Sequence, residues 1–176
     1  MLKPKILIVL ILLLLVVNSN AQAGDYKLVK KDGLISLYEK WIRAMNGEQA
    51  REIKAVFFVK ATPADAIQLL KNQSKGKDWN AGADVYKVVA SANTNSWVSY
   101  VRYDIPWPVG DQDCCLAYIM KESTNVTEIF FESTSHTSFP IKSGVGRING
   151  TKGKWLLEKN ANGMMKITYT ISTNKN

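Results

Sequence analysis

The stretch Tyr103-Asp104-Ile105-Pro106-Trp107-Pro108-Val109-Gly110-Asp111-Gln112-Asp113 lies between two runs that alternate as β-strands do. Two prolines flank Trp107. They remove two backbone donors and stiffen the connection, so the stretch reads as a sharp link between strands rather than as a strand. On its N-terminal side, Ser96 to Asp104 places Trp97, Ser99, Val101 and Tyr103 on one face, with Val98, Tyr100, Arg102 and Asp104 on the other. On its C-terminal side, Asp111 to Lys121 places Gln112, Cys114, Leu116, Tyr118 and Met120 on one face, with Asp113, Cys115, Ala117, Ile119 and Lys121 on the other. The first face of each run is apolar, with a few hydroxyls and one amide. Asp111 and Asp113 project opposite Gln112 and are expected to cap turn amides. Facing away from the apolar side, they are not set for acid–base work in a pocket.

The same alternation continues along the chain. Downstream, Thr127 to Thr134 carries Ile129 and Phe131 in phase, and Gly153 to Lys159 follows. Met164 to Ser172 sets Met165, Ile167, Tyr169 and Ile171 against Lys166, Thr168 and Thr170. Asn162-Gly163 between the last two runs is a tight hairpin signal. Upstream, Asp32-Gly33 separates Tyr26–Lys31 from Leu34–Trp41, a second hairpin. Arg51 to Ala61 sets Ile53, Ala55, Phe57 and Val59 on one face. Thr62-Pro63-Ala64-Asp65 then opens a helix, with Thr62 as N-cap, Pro63 at the first turn and Asp65 facing the dipole. Ala66, Ile67, Leu69 and Leu70 form its stripe, and Gln73 to Gly76 ends it. Trp79 falls in a polar loop, Lys77 to Gly82, before a strand from Asp84 to Ser91. The order is three strands, one short helix and about six strands that read as one antiparallel meander: an α+β chain with a curled antiparallel sheet. One short helix is too small to cover the inner face of such a sheet.

The 176 residues are 46% apolar and 22% charged, values of a folded globular domain that exclude wholesale disorder. Met1 to Ala23 is set apart. Lys3 and Lys5 precede an unbroken apolar run from Ile6 to Val17, and Ala21-Gln22-Ala23 fits a cleavage pattern. This is the layout of a secretory signal, and the run is short for a membrane span. The expected mature domain is 24–176, in the periplasm or outside the cell. The net charge of +8 would fall by two on cleavage, leaving a surface with weak attraction for anionic membranes. The basic residues are scattered, which gives no support to nucleic-acid binding. Cys114 and Cys115 are strand neighbours and read as small apolar fillers, with an exposed thiol at Cys115 as the alternative. His136 is the only imidazole and lies in a loop. A His/Cys structural metal site is excluded, since it needs four ligands, and no cofactor is indicated.

The Pro106-Trp107-Pro108-Val109-Gly110-Asp111-Gln112-Asp113 segment resembles the START family, the steroidogenic-acute-regulatory-related lipid-transfer domains. The resemblance extends to the Asp32-Gly33 hairpin, the Thr62–Asp65 helix start, Trp79 before Asp84–Val89, and Val145-Gly146-Arg147 before Trp155-Leu156-Leu157-Glu158. It covers roughly Tyr26 to Ser172. It implies a helix-grip fold: a curved antiparallel sheet around a long C-terminal helix, with a tunnel for one lipid. It departs from the family in two places. Gln112 stands where the family commonly has Arg, and the chain stops after the last strand, without the grip helix. A truncated reading frame is the expected reason, with a dimer that closes the trough as the alternative.

The resemblance therefore implies a non-catalytic carrier of a lipid or other hydrophobic small molecule. Phe57, Trp97, Ser99, Tyr103, Gln112, Cys114, Leu116, Tyr118, Phe131 and Tyr169 are the expected cavity lining. Gln112, Tyr118, Ser99 and Tyr103 would orient a polar end. Without the grip helix, the face bearing Phe57, Trp97, Tyr118, Phe131 and Tyr169 is expected to lie open to water. The alternatives are a cyclase- or hydrolase-type enzyme of the same superfamily, and an inactive remnant or interaction module. No nucleophile elbow or phosphate-binding glycine loop supports the enzyme.

Overall fold

The structure is a computed structural model that describes residues 25–43, 47–160 and 163–173. The expected signal segment and the last three residues lie outside the described residues. The described residues form ten strands: β1 (Lys27–Asp32), β2 (Ile35–Arg43), β3 (Gln49–Val59), β4 (Ala83–Ala90), β5 (Ser96–Tyr103), β6 (Gln112–Glu122), β7 (Val126–Ser133), β8 (Gly146–Ile148), β9 (Lys152–Lys159) and β10 (Met165–Ser172). Two helices, α1 (Pro63–Lys71) and α2 (Gly76–Trp79), join β3 to β4. Among the described residues, no helix follows β10.

The strand order is β1-β2-β3-β10-β9-β7-β6-β5-β4, with β8 attached to β6. The antiparallel meander expected after the helix is β4-β5-β6-β7-β9-β10, and β1–β3 form a second one beside it. β1–β3 and β4–β10 meet where β3 pairs with β10, from Met165 opposite Val59 to Ser172 opposite Glu52. The α1–α2 connection carries the chain from the sheet centre to the far edge at β4. The strand missed in the sequence is β8, three residues long and parallel to β6 at Gln112–Cys114. Such a strand is too short for any alternation to register. The first hairpin is shifted by one residue, since Asp32 pairs with Ile35 and Gly33 takes the left-handed turn at φ 53°.

α1 starts as its sequence dictates. The Thr62 hydroxyl accepts from Asp65 N–H, and the Asp65 carboxylate accepts from Thr62 N–H at 2.8 Å, a reciprocal capping box. The expected loop around Trp79 is corrected to the single-turn helix α2. Gly76 is needed there, because a Cβ at that position would run into the Tyr86 ring.

The alternating faces fall as the sequence indicates. Trp97, Cys114, Leu116, Tyr118, Met120, Ile129, Phe131, Leu157, Met165 and Ile167 form one buried cluster with Leu70 of α1. Trp97 stacks on Tyr118 with centroids 4.8 Å apart, and Phe131 is wrapped closely over Gly153, where a Cβ would also meet the Thr170 carbonyl. The expectation of an open inner face is therefore corrected. Trp97, Tyr118 and Phe131 are buried, and Phe57 and Tyr169 are half-buried. The sheet curls far enough for its own aromatic side chains, together with α1 and Trp79, to cover most of that face.

The convex face has a second, smaller core of Tyr100, Cys115 and Phe139. Cys115 is fully buried in it, which removes the exposed-thiol alternative, while Cys114 faces the main core. Both thiols are unbonded. Asp113 does not cap a turn. It is 1% exposed, is paired with Arg147 of β8, and accepts from the Tyr100 hydroxyl at 3.0 Å. Asp111 does accept from the Ile105 amide, and its main partner is Arg102, which holds its carboxyl below the ordinary range.

Candidate functional site: a cavity in two parts

Two concave spaces meet at Trp79 and Trp155. The first is an apolar trough of about 400 Å³ between α1 and the sheet. Phe57 and Val59 of β3, Ala66 and Leu70 of α1, and Met165 and Ile167 of β10 are among its walls. Among the described residues, Asp65 is the only ionisable one that lines it. It lies in the exposed first turn of α1, engaged by the Thr62 cap. The second is an inner chamber of about 170 Å³, walled by Tyr103, Cys114, Leu116, Tyr118, Phe131 and Tyr169, with Asn80, Thr151 and Thr173 adding polar groups.

Trp79 and Trp155 line both spaces. Their rings meet edge to face, 6.3 Å apart and at 82°, and Trp155 packs against Tyr169 at 4.2 Å. The pair forms a partition between trough and chamber. The chamber alone is below the usual size of a small-molecule site, whereas trough and chamber together fall within it. A wider crease of about 550 Å³ lies between the start of α1 and the β6–β7 turn. It is partly polar, with Thr62, Glu122, Ser123, Lys159 and Asn160 on its walls, unlike the largely apolar trough.

The ten residues expected to line a cavity divide three ways. Tyr103, Cys114, Leu116, Tyr118, Phe131 and Tyr169 meet around the chamber, and Phe57 lies in the trough. Trp97 and Ser99 are packed behind the chamber wall, 1% and 0% exposed. Gln112 is half-buried at the first position of β6, opposite Gly146 of β8, and does not line either space. Sequence reasoning missed Trp79, Asn80 and Trp155. Trp155 alternates in phase with Leu157 and was legible on that ground. An isolated tryptophan in a polar loop was the only signal for Trp79.

The phenols of the site are strongly desolvated. Burial raises Tyr86, whose hydroxyl donates to the Leu70 carbonyl at 2.7 Å, to about 12. Burial likewise pushes Tyr118 and Tyr169 well above the phenol range, and raises Tyr103, whose hydroxyl donates to Asn80 Oδ1 at 3.1 Å. The Cys114 thiol is pushed up to about 11, again by burial. A raised phenol stabilises the fold fully below its unfolded value near 10, and that stability is lost as pH rises through the folded value. Stability is therefore expected to be flat through neutral pH and to fall between pH 10 and about 12. Tyrosinate absorbance and near-ultraviolet dichroism should change together. Complete phenol ionisation near pH 10 with tertiary dichroism intact would contradict this burial.

The START domain family model matches residues 21–175. The chain belongs to the START domain family. A relative in sequence is the uncharacterized protein PA1579 of Pseudomonas aeruginosa, 26% identical over 158 residues, covering 89% of this chain and 76% of that protein. Among solved structures, the STAR-related lipid transfer protein of Xanthomonas axonopodis (fragment 25–204) superposes with a TM-score of 0.75 at 20% identity, over 86% of this chain and 83% of that one. The lipid transfer and protein localization domain of human StarD13 gives 0.70 at 15% identity, over 100% of this chain and 85% of that one. At these identities the structural likeness establishes the fold, a START-like antiparallel sheet of helix-grip type.

Proposed function

We propose that this START domain is an exported carrier that holds one lipid by burial, without covalent chemistry. The observation that carries this reading is the apolar trough that opens, past a tryptophan partition, into a phenol-lined chamber. Each methylene moved from water into such a trough contributes ~0.8 kcal/mol, so an acyl or polycyclic tail supplies most of the affinity. Export is supported by the Lys3–Val17 and Ala21–Ala23 pattern. Contact with an anionic membrane surface during loading is supported by the net positive charge that remains once Lys3 and Lys5 are removed, and by Trp107, 91% exposed on the β5–β6 connection.

The direct test is native mass spectrometry of the protein recovered from its own host, followed by solvent extraction. The expected result is a chain shortened by the first 23 residues, carrying a non-covalent adduct of lipid mass. A folded protein that carries no adduct and takes up no lipid from vesicles would overturn the carrier reading.

A further inference from the structure

The chemistry of the inner chamber specifies more than a hydrophobic ligand. Among the described residues, none that lines it is Asp, Glu, Lys, Arg or His. Two of the carboxylates flanking the β6 wall are spent elsewhere: Asp113 on Arg147, and Asp111 on Arg102. A carboxylate, phosphate or ammonium placed in the chamber would be desolvated with no counter-ion, which is costly in a low-dielectric site. The raised phenols of Tyr103, Tyr118 and Tyr169 report the same property, since each is held in its neutral form by burial.

Neutral hydrogen-bonding capacity is nevertheless left over. Tyr169 lines the chamber with its ring packed on Trp155 and Phe131, and its hydroxyl makes no hydrogen bond among the described residues. Trp79 Nε1–H is buried at the partition and has no partner among the described residues. Thr151 and Thr173 hydroxyls face one another at 3.1 Å, and whichever of them accepts keeps its own O–H to donate. An unmet buried donor is costly, and a ligand oxygen would relieve that cost. At about 170 Å³ the chamber holds a small head and excludes a bulky one.

We infer that the ligand is a lipid with a small uncharged polar end, such as an alcohol, seated in the chamber against Tyr169 and Trp79 while its tail fills the trough. This rests on the carrier reading above and narrows it to the head group. The ligand passes the Trp79–Trp155 pair, so Trp79 both gates and donates.

The test compares three probes with one tail: oleyl alcohol, oleate and oleoyl-lysophosphatidylcholine. Binding to the full chain is followed at pH 8 by tryptophan fluorescence and native mass spectrometry. Oleyl alcohol is expected to bind at least tenfold more tightly than either of the others. Tyr169→Phe should weaken the alcohol about fivefold and leave oleate unchanged, and Trp79→Phe, which keeps a ring in the partition, should act in the same direction. Oleate or the lysophospholipid binding as tightly as the alcohol would overturn the head-group inference and leave the carrier reading standing. Failure of all three to bind would overturn both.

Discussion

Arg147→Met is expected to destabilise the domain by about 3–5 kcal/mol, the cost of leaving one member of a buried ion pair without its partner. Asp113 is 1% exposed and the Arg147 side chain 8%, so neither charge can turn to water for relief. Arg147 holds Asp113 with two nitrogens, the second at 3.1 Å from Oδ2. It also donates to the Phe139 and Pro140 carbonyls at 3.1 and 3.3 Å. Those bonds fasten the β7–β8 connection over the convex face, where Phe139 stacks on Tyr100 at 4.9 Å. The double variant Arg147→Met with Asp113→Leu should recover most of the loss, because no orphan charge remains, but not the bonds to the two carbonyls. Urea unfolding of the three proteins measures both effects. A loss below ~1 kcal/mol for the single variant would mean that water reaches Asp113 and that the pair behaves as a surface pair.

That ion pair also shows where reading the sequence stopped. Strict period-two alternation placed the faces of β5, β6, β7 and β10 correctly, because a strand has only two sides and one of them was plainly apolar. Capping chemistry placed the start of α1 to the residue for the same reason: Thr62, Pro63 and Asp65 act within a single turn. Asp113 was on the correct face and was still misjudged as a turn cap. Its partner lies 34 residues away on a three-residue strand, and nothing local announces a parallel β8. The covering of the concave face was misjudged for a related reason. Curvature is a property of the whole sheet, and it brings Trp97 and Phe131 against the two sides of Tyr118, a closeness that no single strand's pattern contains. For the site, the strand-borne residues of the chamber were legible, whereas Trp79 and Asn80 were not, because their position depends on α2, a single turn anchored by the fit of Gly76 against Tyr86.

Ala66→Trp is expected to abolish lipid binding, by at least a hundredfold, while leaving the domain as stable as before or more so. Ala66 is half-buried on the face of α1 that walls the trough, and its methyl group borders a space of about 400 Å³. An indole there has room to occupy the space an acyl tail would take. Filling an existing cavity adds contacts without displacing any, the opposite of overpacking a closed core. The helix loses only a few tenths of a kcal/mol in intrinsic propensity at that position. Stability and binding are therefore predicted to move in opposite directions, which separates a blocked site from a damaged fold. Thermal unfolding and an oleyl alcohol titration on the same preparation give both readings. If the variant is folded and binds with unchanged affinity, the tail does not lie in the trough. The ligand would then have to reach the phenol chamber from the β5–β6 side, past Trp107, and the Trp79–Trp155 pair would be a wall rather than a gate.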